Sequence, residues 1–207
     1  PKTKPRPLII DTDMSGDVDD VGAVCVAHAL MARGEAELLA VVHNTGIHEG
    51  VGAISAINSY YGKHVPIGAY KGQFDIGMIG PYVADLAHNF PTRVQRASQV
   101  PDAVDVYRRA LAGAEPHSVW ISSIGFPTNL EALLRSGADA SSPLNGTELV
   151  AAKVAGMAVM GGTFPRSNGH PNHNFGFHCT RDIPRCRNIS SAPIGPSTAY
   201  VFEHWPS

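Results

Sequence analysis

Apolar residues occur in short runs set between amphipathic or small-residue stretches, and the two patterns alternate along most of the chain. Runs at residues 8–10, 38–43, 65–69, 119–122 and 154–160 read as strands. The stretches at 18–31, 51–61, 102–112, 129–135 and 144–152 read as helices, with a long loop through residue 80. Strands separated by helices pair in parallel through right-handed crossovers, because a tight hairpin cannot bring the chain back in the same direction. The expected fold is α/β: an open, mostly parallel sheet with helices on both faces, formed by residues 1–207 as a single domain. No internal repeat, low-complexity tract or Gly/Ser/Pro-rich linker divides it. Periodicity fails from residue 161 and returns at 198–203. The stretch between, which holds several Pro, Asn and His, predicts a functional loop or an irregular segment, with 179–197 as an insertion.

In sheets of this kind ligands bind beyond the carboxyl ends of the strands. Those ends are residues 11–20, 44–45, 70–73, 123–128 and 161–174, and every polar cluster of interest falls among them. Composition narrows the partners. The chain carries 16 Lys and Arg against 18 Asp and Glu, a formal charge of −2, and no stretch concentrates the basic residues as a phosphate-tracking surface would, so nucleic acid is not expected. No run approaches the roughly 18 apolar residues of a membrane helix. The first residues lead into a strand instead of an apolar leader, which leaves the compartment open with the cytoplasm as the default. Three cysteines are too few for a disulfide framework. Cys25 falls in an apolar helical stretch and reads as a reduced thiol, whereas Cys179 and Cys186, near His178, are spaced too loosely to argue for a metal pair.

The segment Asp11-Thr12-Asp13-Met14-Ser15-Gly16-Asp17-Val18-Asp19-Asp20 places five carboxylates within ten residues. An apolar strand delivers the first two and an apolar helix begins at the last two. Groups pinned in this way cannot spread apart, so they share either protons or a cation. A hard cation is the simpler solution, and crowded carboxylates suit calcium better than magnesium. Three readings compete. An EF-hand loop starting at Asp11 would need a bidentate Glu at its twelfth position, where Gly22 stands, and a helix in front of it. A phosphatase of the haloacid dehalogenase type would use Asp11 as nucleophile, but its following Gly-Thr is replaced by Met14-Ser15.

The third reading is a resemblance. The run from Asp11 to Asp20 is similar to the N-terminal signature of the inosine-uridine preferring nucleoside hydrolases, in the variant with two extra residues before the Asp-Asp pair. Residues 38–44, 123–131, 159–162 and 200–206 resemble that family in the same order. The resemblance implies calcium-dependent cleavage of the N-glycosidic bond of ribonucleosides. It implies an ion held by Asp13 and Asp20 and by the backbone carbonyl of Ile124, with Asp11 as a further metal residue, and water activated with Asp13 as base. It also implies Asp19 on the ribose 2′-hydroxyl, Asn44 on a neighbouring hydroxyl, Asn168 at the 5′ end of the sugar, and Asn174 in the same loop. Where the family usually shows Glu-Phe-Asn, this chain has Asn174-Phe175-Gly176, so hydroxyl recognition there is expected to differ. The family's last Asp ligand and its leaving-group His are expected beyond Ser207. Of the histidines present, His170, His173 and His178 lie in the corresponding loop and read as surface residues. A catalytically impaired ribose-binding relative is the second expectation. The family's dimers and tetramers make a homo-oligomer conceivable.

Overall fold

The computed structural model describes residues 4–72, 80–162, 174–175 and 194–206. Five strands, β1 (Arg6–Thr12), β2 (Ala36–His43), β3 (Ile67–Ala69), β4 (Val119–Ser123) and β5 (Val154–Val159), form one sheet in the order β3-β2-β1-β4-β5 with every pairing parallel. The expected α/β architecture is present. Progress along the chain runs outward from β1 to β3, then jumps back to the other side of β1 for β4 and β5. The switch point of the sheet is therefore the gap between the carboxyl ends of β1 and β4.

Among the described residues, seven α-helices accompany these strands: α1 (Asp19–Ala32), α2 (His48–Tyr60), α3 (Pro81–Asn89), α4 (Ala103–Ala112), α5 (Thr128–Arg135), α6 (Gly146–Lys153) and α7 (Ile194–His204). Side chains of α1, α2 and α3 pack with Ile10, Leu38 and Val41 on one face. Those of α4, α5, α6 and α7 pack with Ile9, Ala40, Val42 and Ile121 on the other. Strand alternation divides these sets, since successive side chains point to opposite faces. The pairing of β1 with β2 slips by one residue between Leu8 and Ile9, and Leu39 is the additional residue.

Most element ends shift by one to three residues from expectation, and two differences are larger. Helix α3 occupies a stretch to which the pattern assigned no element. It starts with Pro81 at a first-turn position, where the missing N–H costs nothing, and it buries Val83 and Ala87 four residues apart against α2. Helix α7 begins at Ile194, four residues earlier than the pattern indicates. No helix among the described residues is long and apolar enough to cross a membrane.

One polar group is built into the α4 side. Arg108 is buried, and its guanidinium donates to Asp139 (3.0 Å), to Ser136 Oγ (2.9 Å) and to the carbonyls of Ser142 (3.2 Å) and Leu144 (2.8 Å). It satisfies a loop that has no ladder of its own. Arg108→Met should lower stability by about 2 kcal/mol, because the Ser142 and Leu144 carbonyls lose a donor, whereas exposed Asp139 keeps the N–H groups of Ser141 and Ser142. Thermal unfolding measures this, and an unchanged midpoint would refute the assignment.

Candidate active site

Strand β1 runs through Asp11 and Thr12 and ends there, and α1 starts at Asp19, so the strand and the helix hold the acidic loop from both ends. An EF-hand would have a helix in front of this loop, and β1 stands there instead. Asp11 is fully buried beneath it. Its Oδ1 accepts from Asn44 Nδ2 (2.8 Å) and Asn129 Nδ2 (3.1 Å), and its Oδ2 from the Tyr107 hydroxyl (2.8 Å). Burial pushes the Asp11 carboxyl up to about 7, although all three donors act to lower it. The group that a dehalogenase-type phosphatase would use as nucleophile is thus enclosed and occupied.

Above Asp11 the carboxyls converge. Burial pushes Asp13 up to about 8, with the charge of Asp20 adding to the rise. Burial likewise takes Asp20 to about 7, against the hydrogen bond it accepts from the Thr12 hydroxyl and one shared with Asp13. Carboxylate oxygens of Asp17, Asp19 and Asp20 lie within 4.8 Å of one another, and Asp17 and Asp19 are exposed. Asp19 is raised as well, by desolvation and then by Asp17. Four acidic groups therefore share one small volume, two of them buried. No Lys or Arg forms an ion pair with any of them among the described residues.

The surroundings are shaped to keep the loop in place. His43, buried at the end of β2, puts Nε2 at 3.2 Å from the Met14 carbonyl, and burial lowers its pKa to about 4, so it donates there as a neutral ring. The Gly80 N–H donates to the Ser15 carbonyl at 2.6 Å, and the Tyr82 hydroxyl donates to the Asp17 carbonyl. Desolvation and the four nearby carboxylates push the Tyr82 phenol up. From the β4 side, Gly125 approaches so closely that a Cβ there would stand 2.5 Å from Asp13 N and 2.7 Å from Asn44 Nδ2. Gly125→Ala is expected to displace Asp13 and to weaken the affinity for an ion held by these carboxylates about 10- to 100-fold, as loss of a supporting contact around a metal site does. Calorimetric titration checks this, and unaltered affinity would show that the close approach is immaterial.

The structure brings Asp13, Asp19, Asp20, Asn44 and Ile124 to one end of the sheet. Asn44 is fully buried and Thr128 donates to its carbonyl, but its side-chain Oδ1 has no partner among the described residues. Ile124 follows β4, and its N–H donates to the Asp11 carbonyl at 2.8 Å. Asn174 is buried, and its Nδ2 donates to the carbonyls of Ile124 (3.1 Å) and Met160 (2.9 Å), tying the ends of β4 and β5 together. Asn168, the loop histidines His170, His173 and His178, and Cys179 and Cys186 lie outside the described residues. Sequence reasoning did not single out Thr12, Asp17, Tyr82, Tyr107 or Asn129. Asn129 lies inside a motif that was noticed and Asp17 in the acidic run, whereas nothing local marks Tyr107.

No protein-family profile and no curated protein matches this sequence. Solved structures do match. The effector protein XOO4466 superposes with a TM-score of 0.64 at 22% identity, over 84% of this chain and 49% of that one. The type III effector XopQ, in complex with adenosine diphosphate ribose, gives 0.59 at 22%, over 84% and 50%. The plant nucleoside hydrolase PpNRh1 gives 0.57 at 19%, over 82% and 52%. The fold is that of the nucleoside hydrolases. The chain spans about half the length of these structures. The acidic groups sit at the switch point of this fold, between β1 and β4.

An ion fits the donor set. Hard oxygen donors from Asp13, Asp20 and the exposed pair Asp17 and Asp19 suit calcium, which accepts several carboxylates in flexible geometry. The unpartnered Asn44 Oδ1 is a further oxygen at the same place.

Proposed function

We propose that this chain carries the ion- and sugar-binding part of a calcium-dependent hydrolase acting on the N-glycosidic bond of ribonucleosides. The observation that supports this most directly is the meeting of the Asp13 and Asp20 carboxyls at the end of the central strand, in a fold shared with a nucleoside hydrolase. In this reading Asp13, Asp20 and the Ile124 carbonyl hold the ion. Asp11, the other carboxylate of the expected set, already accepts from three side chains and aligns Asn44 from behind. Calcium held there would polarise a sugar diol and lower the pKa of water.

The protein groups have separable tasks. Asp13 accepts a proton from the attacking water at its carboxylate, as a general base must. Asp19, exposed at the start of α1, receives the ribose 2′-hydroxyl, and Asn44 Oδ1 accepts from a neighbouring hydroxyl, which answers its lack of a partner. Asn168 is proposed for the 5′ end of the ribose, and Asn174 for the wall beside it.

A second reading is a relative that binds a ribosyl ligand without cleaving it. The likeness to two effector proteins, one of them crystallised with adenosine diphosphate ribose, favours it. So does Asn174, whose amide is engaged with two backbone carbonyls where a hydrolase of this family usually offers a carboxylate. Purified protein incubated with inosine or uridine decides between them. Ribose release that needs calcium and stops with chelator supports hydrolysis. Calcium and ribose binding without release supports the second reading. Absence of ion uptake by folded protein refutes both.

A further inference from the structure

Residues 13–17 of the acidic loop lie between two elements and belong to neither. Strand β1 ends at Thr12, α1 begins at Asp19, and its N-cap, Val18, makes no side-chain cap bond. Like charges crowded onto such a stretch push its backbone apart. Three donors from elsewhere oppose that. His43 at the end of β2 holds the Met14 carbonyl, the Gly80 N–H holds the Ser15 carbonyl, and the Tyr82 hydroxyl holds the Asp17 carbonyl. Two of the three come from the start of α3, and Tyr82 is 65 residues from Asp17 in sequence.

Helix α3 is itself fixed by packing. Val83 and Ala87 are buried against α2, and Gly52 lets the two helices approach so closely that a Cβ there would stand 2.5 Å from Ala87 Cβ. The part-buried Tyr82 ring packs against the cluster that holds Met14 and Val24, and its hydroxyl reaches beyond that cluster to the loop. Gly80 comes equally close, since a Cβ there would stand 2.6 Å from the carbonyl oxygens of Ser15 and Gly16. Desolvation, and then the charges of Asp20, Asp17, Asp19 and Asp13, push the Tyr82 phenol up, so the hydroxyl keeps its proton and stays a donor. A donor set that is ordered before its ion arrives loses less freedom on binding.

We propose that Tyr82 is a positioning residue for the ion, holding the Asp17 end of the loop against the mutual repulsion of its carboxylates, with Gly80 supporting Ser15 beside it. This rests on the reading of the acidic loop as an ion site. Calcium titrated into the full chain and followed by calorimetry is the test. Tyr82→Phe keeps the ring in the core and removes only the hydroxyl, so calcium affinity should fall about tenfold. The thermal midpoint in chelator should fall by no more than about 4 °C, the worth of one hydrogen bond, whereas a residue that merely supports the fold would lower it further. Magnesium, held by one or two carboxylates and its own waters, depends less on the shape of the loop and should lose less than calcium does. Gly80→Ala, which crowds the Ser15 and Gly16 carbonyls, should act in the same direction and serves if Tyr82→Phe folds poorly. Tyr60→Phe, exposed at the far end of α2, leaves both affinities unchanged. A Tyr82→Phe protein that binds calcium within about twofold of the parent, or that loses calcium and magnesium equally, overturns the proposal and leaves the ion site standing. A folded parent that takes up no ion refutes the site, and the proposal with it.

Discussion

Asp13→Asn is expected to reduce ribose release from a ribonucleoside by roughly 10²- to 10⁴-fold, the usual contribution of a general base. Asparagine keeps the size and one oxygen but cannot take up the proton of the attacking water. It also contributes less charge to the ion. The ion-free protein should be at least as stable as the parent, because a buried carboxyl held near 8 by desolvation and by Asp20 is under strain whenever it ionises. That combination separates a functional role from a structural one, since a residue that merely supports the fold loses stability and activity together. Steady-state rates at saturating calcium, with thermal midpoints in chelator, provide the check. Activity within a few-fold of the parent would remove Asp13 from the reaction.

Raising the pH without calcium should destabilise the protein, and calcium should cancel the effect. Asp11, Asp13 and Asp20 have folded-state values of about 7, 8 and 7, against 3.8 unfolded. A carboxyl whose folded value is raised holds its proton in the native state after the unfolded chain has released it. Its stability contribution is full below about 4 and is lost as pH climbs through the folded value. His43 acts in the opposite sense between about 4 and 6.5, because it is neutral when folded and protonated when unfolded. His28, lowered by burial as well, adds to this, but two histidines do not outweigh three carboxyls, so the net trend from pH 4.5 to 8 is downward. Each unit of pKa difference is worth about 1.4 kcal/mol, and a loss of even a few kcal/mol lowers Tm by on the order of 10 °C in a chain of this size. Calcium held as proposed would take the place of the protons and flatten the curve. A midpoint in chelator that is level or rises over this window would contradict the crowded-carboxyl picture.

The sheet was legible because strands and helices repeat at periods of 2 and 3.6, and residues 8–12 and 38–43 show the buried-strand version plainly. The acidic loop was legible because its carboxylates are contiguous in sequence. The layer beneath it was not. Tyr107 and Asn129 reach Asp11 from 96 and 118 residues away, and each looks locally like one more residue on a packed helix face. Helix α3 was missed because it is only nine residues long and follows a long irregular stretch, with a single proline as its start signal. Asn174 shows a different limit. A motif position suggests what a side chain contacts in relatives, but here the amide is turned onto the Ile124 and Met160 carbonyls, a choice set by the meeting of β4 and β5. The expectations for Asn168 and the loop histidines concern residues outside the described part of the chain.

The additional residue in β2 decides what Asp11 meets. Leu39 and Ala40 turn toward the same side of the sheet, so the count of odd and even positions restarts before the strand ends. If the strand were ironed flat with Leu39 kept in step, every later residue would change sides. The imidazole of His43 would then confront the buried carboxyl, and the Asn44 amide would be turned toward α2. The shift in parity five residues before Asn44 thus selects an amide over a ring as the neighbour of Asp11, and shortening β2 by that one leucine should leave the selection intact.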